Sequence, residues 1–114
     1  MARRRGEQVD AIVRGTTNVF ADLGYPDAEE RQTKLRLAFA LNQIILRRRL
    51  TQAAAAKALG INQPKVSALM RYRLAGFSVE RLMTFLTALD QDVEIVIRRK
   101  RRSRAPARIS VVAA

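Results

Sequence analysis

The segment Gln63-Pro64-Lys65-Val66-Ser67-Ala68-Leu69-Met70-Arg71 gathers the side chains of this chain best suited to recognition chemistry. Wound as a helix at about 100° per residue, it puts Gln63, Pro64, Ser67, Ala68 and Arg71 on one side. Val66 and Leu69 point the other way. The outward side then offers an amide, a hydroxyl, a guanidinium and two small apolar surfaces. Those groups complement the base-pair edges of a DNA major groove. A glutamine can bind adenine through two hydrogen bonds, an arginine can grip guanine or a phosphate, and Pro64 or Ala68 can touch a thymine methyl. Lys65 on the flank, Arg73 in the turn beyond and Ser78 are candidates for phosphate contacts, which fix register without reading sequence. Gln52, at the start of the preceding helix, can set its amide and that helix's N–H groups against the same backbone. Bland readings stand beside these: Gln52 as a polar helix start, Arg71 and Arg73 as solvated surface, and Ser67 and Ala68 as small residues at a tight interface.

Such a helix must be held by others, and the flanking sequence provides them. In Leu50-Thr51-Gln52-Ala53-Ala54-Ala55-Ala56-Lys57-Ala58-Leu59-Gly60, Thr51 is a good N-cap, alanines are the strongest helix formers, and Gly60 is a natural left-handed terminator. Asn62 caps the next helix, with Pro64 in the first turn, where its missing N–H costs little. Two short helices joined by a glycine-led turn are the helix-turn-helix signature. Its packing demands are met together: Ala56 is small at the crossing, Gly60 permits the turn, and Ile61, Val66 and Leu69 fill the angle between the helices.

Asp27 with Glu30 forms a capping-box pattern, which predicts a long helix from about Ala28, with Glu29 and Glu30 at its positive end and Arg47-Arg48-Arg49 at its negative end. This helix carries two apolar stripes. Leu35, Ala38, Phe39, Ile45 and Leu46 form one; Leu37, Ala40, Leu41 and Ile44 form another roughly 140° away. One stripe can pack on the domain. The second, with Leu37, Leu41 and Ile44, is left to the N-terminal arm, a second subunit or a protein partner, unless the chain buries it itself. Upstream, Thr16-Thr17-Asn18 can cap a short helix, Val19 to Leu23, that ends at Gly24 before the Tyr25-Pro26 break. Downstream, Ser78 caps a helix with Val79, Leu82, Met83, Leu86 and Leu89 on one stripe.

After Asp90 the pattern turns β-branched. Val93-Glu94-Ile95-Val96-Ile97 reads as one strand, with Val93, Ile95 and Ile97 as a candidate dimer surface, because a lone strand needs a partner ladder. From Arg98 to Arg104, six of seven residues are basic. Ala105-Pro106 and small residues follow, which reads as a disordered tail able to meet DNA backbone, RNA or an acidic protein, or simply to aid solubility.

Composition narrows the function classes. The chain of 114 residues suits one domain with extensions, and no repeat is evident. With no cysteine and no histidine, it lacks thiolate chemistry, imidazole acid–base work and the usual zinc ligands; the expectation is a non-enzyme without metal or cofactor. No apolar run approaches the ~20 residues that span a bilayer, and Arg3-Arg4-Arg5 leads into polar residues, so the expected location is cytoplasmic. A net charge of +12 points to an anionic partner. From Arg31 through Val79 there is no Asp or Glu but ten Lys or Arg, leaving nothing there to repel phosphate.

The block from Leu50 through Leu69 resembles the Xre/Cro phage-repressor helix-turn-helix family. Asn18-Val19-Phe20-Ala21-Asp22-Leu23-Gly24-Tyr25-Pro26-Asp27-Ala28-Glu29 resembles a smaller branch, as do Gly76-Phe77-Ser78-Val79-Glu80-Arg81-Leu82 and Asp92-Val93-Glu94-Ile95. That branch includes HigA-like antitoxins encoded beside RelE-like toxins. The resemblance implies a homodimer that represses its own operon and, in antitoxin members, neutralises an mRNA-cleaving RelE/HigB-like toxin. Tyr72 departs from the pattern, since similar proteins often have glycine there; the turn then has its own DNA contact or packing. The expected fold is mainly α, a four- to five-helix Cro-like domain at 18–97 with one C-terminal strand paired across a dimer. A basic arm at 1–17 and a basic tail at 98–114 flank it. The alternatives are a stand-alone dimeric regulator of double-stranded operator DNA and a non-specific nucleic-acid-binding protein.

Overall fold

The computed structural model describes residues 28–102 and 104–113. The expected N-terminal arm, the Val19–Leu23 helix with its Gly24 cap, and the Asp27 half of the capping box lie outside these residues. Four helices follow one another: α1 (Ala28–Arg47), α2 (Gln52–Leu59), α3 (Gln63–Met70) and α4 (Val79–Ala88). The last three start where a capping side chain dictates. The hydroxyl of Thr51 accepts the Ala54 N–H at 3.0 Å, Asn62 Oδ1 accepts the Lys65 N–H at 2.9 Å, and Ser78 Oγ accepts the Arg81 N–H at 3.0 Å. Each bond satisfies one of the donors that a helix start leaves open, worth roughly 1 kcal/mol.

The helix ends share one device. The N–H groups of Leu50, Ile61, Arg73 and Gln91 reach back to the carbonyls of Ile45, Ala56, Ala68 and Leu86, at 3.0, 3.0, 2.8 and 3.0 Å. This closure requires a left-handed residue just before the donor. Gly60 supplies it after α2 with φ 71°, and open space surrounds the position of its absent Cβ, so backbone freedom alone accounts for the glycine. Arg49, Tyr72 and Asp90 supply it elsewhere, with φ of 52°, 61° and 63°. A side chain in this region costs about 1–2 kcal/mol. Arg49 is exposed and has little packing to lose. Replacing Arg49 with glycine is therefore expected to stabilise the fold by about 0.5–1 kcal/mol, after the entropy cost of glycine is counted. An upward shift of the urea midpoint checks it; a downward shift would mean that the Arg49 side chain holds the corner.

α1 packs on α4 and α3, and α2 packs on α3 and α4, around one core. Leu41, Ile45, Val66, Leu69, Leu82 and Leu89 are its largest fully enclosed side chains. The two stripes expected on α1 are recut. Leu37, Ala38, Leu41, Ile44 and Ile45 are all at most 5% exposed and span an arc of about 120° that takes part of each stripe. Leu37, Leu41 and Ile44 are thus core residues and no spare surface. The reason is that α1 serves two neighbours, so its buried arc lies between the directions of α3 and α4. What remains outside is Leu46, 71% exposed, with Phe39 half-buried. The core also takes Leu74, Phe77 and Phe85, which stripe reading passed over; Phe77 and Phe85 meet edge to face with ring centroids 5.9 Å apart.

The expected strand is absent. Val93–Ile97 forms neither strand nor helix, and Ile95 and Ile97 are 74% and 93% exposed. Among the described residues there is no second strand to accept its N–H and C=O groups, and β-branched residues alone do not make a ladder. The segment beyond is not wholly detached either, because Val111 is half-buried against the core.

Candidate nucleic-acid interface

α2 and α3 are joined by Gly60-Ile61-Asn62, and their contact is closed from inside by small and branched side chains. Ala56 is 7% exposed and Ala55 is fully buried, so neither alanine holds the two helices apart. Val66 and Leu69 are fully buried, and Ile61 is partly buried against the same cluster. All five residues assigned to helix-turn-helix packing therefore stand at this junction, with Gly60 supplying the turn.

With Val66 and Leu69 pinned inward, the rest of α3 is presented outward. Gln63, Pro64 and Lys65 are exposed, as is Arg71 at the C-cap, while Ser67 and Ala68 are half-buried. Ala68 also packs against the core, so its methyl is less free than the helical angle implied. Arg71 Nε donates to the Ser67 carbonyl at 3.4 Å, which folds the guanidinium along its own helix. Gln52 is exposed at the first position of α2 and Arg73 is exposed beyond α3. The Ser78 oxygen is committed to the α4 cap, which leaves its hydroxyl proton to donate. Tyr72 is 39% exposed and stands on the surface between Arg71 and Arg73, which are exposed too.

Two features escaped sequence reading. Met70 is 39% exposed, about 20° around α3 from Gln63, and widens the outward face with a flexible apolar side chain. Asn42, in the middle of α1, donates from Nδ2 to the Leu69 carbonyl at 3.2 Å. The scaffold helix thereby holds the last turn of α3. The available signal was a polar residue inside an apolar run, but its partner lies 27 residues away. Asn42→Ala is expected to cost about 1 kcal/mol of stability. Held less firmly, α3 should also discriminate less between duplexes. Urea unfolding and duplex competition check the two effects; a variant matching the parent in both would remove Asn42 from the positioning role.

Among the described residues, no group of three or more His, Cys, Asp or Glu side chains could hold a metal ion, and no helix is long and apolar enough to cross a membrane.

A small-residue crossing, a left-handed glycine turn and a polar outward helix define a helix-turn-helix unit. A family model described as a helix-turn-helix domain matches residues 19–98. A solved structure that carries the name of an XRE family transcriptional regulator is 81% identical, covering 78% of this chain and 100% of its own, with a TM-score of 0.75. The chain therefore belongs to the XRE family of helix-turn-helix proteins. No curated protein matches it.

Proposed function

We propose that this protein is a sequence-specific transcriptional repressor, without catalytic activity, that acts on DNA in the cytoplasm and inserts α3 into the major groove of an operator. The observation that carries the reading is the division of α3 and its C-cap: Val66 and Leu69 fully buried, Gln63, Pro64, Lys65 and the cap residue Arg71 exposed. Gln63, Pro64, Ser67, Ala68 and Arg71 face base edges in this reading. Gln52, Lys65, Arg73 and Ser78 meet phosphates. The stretch from Arg31 to Val79, free of Asp and Glu, supports approach to a polyanion.

Two copies acting together suit a pseudo-palindromic site with half-sites about 34 Å apart. The exposed apolar residues Val93, Ile95 and Ile97 are the surface we assign to that pairing. Within the same reading, the flanking motifs that resemble HigA-like antitoxins favour a second task, the neutralisation of a RelE/HigB-like toxin. Because Leu37, Leu41 and Ile44 are buried, a toxin would have to seat elsewhere.

Selection from a pool of randomised duplexes tests the central reading. Enrichment of one sequence with two-fold symmetry is expected, and uniform recovery would leave a non-specific nucleic-acid-binding protein. Co-expression with the adjacent open reading frame tests the antitoxin role. Capture of a product whose growth toxicity is lost supports it, whereas a harmless, unbound product leaves a stand-alone regulator.

A further inference from the structure

The cations beyond α4 outnumber those on α3, and the fold anchors the chain that carries them. Arg48 Nη2 donates to the Leu89 carbonyl at 2.7 Å, and its Nη1 lies 3.8 Å from an Asp90 carboxylate oxygen. The chain leaving α4 is thus fixed to the corner between α1 and α2. That corner is three residues from Thr51, the cap of the helix start assigned to phosphate. Farther on, Val111 returns to pack on the core. Between these anchors Arg98, Arg99, Arg101, Arg102, Arg104 and Arg108 are exposed. None of the six has an acidic partner among the described residues, and no Asp or Glu follows Glu94 in the sequence.

We infer that this segment is a second DNA-contacting element, which follows the phosphates of the duplex beside the half-site read by α3. The inference rests on the proposed function and adds a partner surface that recognition by α3 does not need. Three observations favour duplex phosphate over other anions. Residues 98–113 contain no aromatic side chain on which single-stranded bases could stack. They form no helix among the described residues, and Pro106 opposes one, so no amphipathic face for a lipid surface arises. Fully extended, the ten steps from Arg98 to Arg108 reach at most about 35 Å, close to one turn of duplex. Arginine also suits the task, because its fork can take two phosphate oxygens at once.

The test compares the full chain with a variant in which Arg98, Arg99, Arg101, Arg102, Arg104 and Arg108 are all glutamine. The probes are the duplex selected by the parent protein, a scrambled duplex, and each with or without about one turn of flanking DNA. The parent is expected to bind the flanked duplexes at least about tenfold more tightly than the short ones at low salt. The variant should lose that gain. Its plot of log affinity against log salt should flatten by about 0.9 for each phosphate no longer neutralised. Its preference for selected over scrambled sequence should survive. An unchanged salt slope with an undiminished flank effect would overturn the inference and leave the proposed function standing. A parent that prefers neither sequence would overturn the proposed function instead. Tighter binding to single-stranded RNA of equal length than to duplex, lost in the variant, would also overturn the inference by assigning the segment to RNA.

Discussion

Leu41→Ala is expected to lower the stability of the fold by about 3–5 kcal/mol, the largest effect of any single truncation considered. Leu41 is fully enclosed at the centre of α1, the helix that packs on both α3 and α4. Truncation removes three carbons from that site and leaves a cavity that a helix packed on two sides can only partly close. A domain of this size has a net stability of about 5–15 kcal/mol, so the variant should sit close to its unfolding threshold. Equilibrium urea denaturation followed by circular dichroism measures the difference. A loss below about 1 kcal/mol would return Leu41 to the surface and revive a protein-binding stripe on α1. Both outcomes bear on function, because α1 also holds the last turn of α3 through Asn42.

The second large effect concerns recognition. Gln63→Ala should leave stability within about 0.5 kcal/mol, because Gln63 is exposed and the Asn62 cap beside it is untouched. The same change should cost about 1–3 kcal/mol in discrimination between the selected duplex and one altered at the contacted base pair. That corresponds to a loss of roughly 5- to 150-fold in the ratio of affinities. The slope of affinity against salt should hardly move, since an amide releases no counterions. Lys65→Ala is the contrasting case: all sequences should weaken about equally, with a slope flatter by about 1. If the sequence ratio survives Gln63→Ala, base reading lies elsewhere on the outward face, with Met70 and Arg71 the first to examine.

How far the chain announces this architecture depends on the range of each signal. Thr51, Asn62 and Ser78 act on N–H groups three residues away, and all three helix starts could be read from them. Ala56, Gly60, Ile61, Val66 and Leu69 were equally legible, because a tight helix-turn-helix junction tolerates few residue types at those positions. The helix ends were harder. Gly60 announces a left-handed closure and Asp90 hints at one, while Arg49 and Tyr72 adopt the same backbone with residue types that give no warning. The stripes of α1 failed for another reason. Periodicity shows that a helix is amphipathic, but the buried arc depends on which two neighbours meet it. At Val93–Ile97 the local preference was extended, yet a strand is a property of two segments, and the described chain offers one. The Asn42 bond to Leu69 and the Arg48 bond to Leu89 join residues 27 and 41 positions apart, beyond any local pattern.

Recognition of DNA through α3 is tested most directly by titrating the isotopically labelled protein with the selected duplex, followed by backbone amide NMR at fixed salt. The largest shifts are expected at Gln63, Lys65 and Ser67 on α3, at Arg71 at its C-cap, and at Gln52 and Ala53 at the start of α2, while the outer face of α4 at Thr84 and Thr87 stays nearly still. Shifts centred on α4, or confined to the basic segment with α3 unmoved, would contradict recognition through α3.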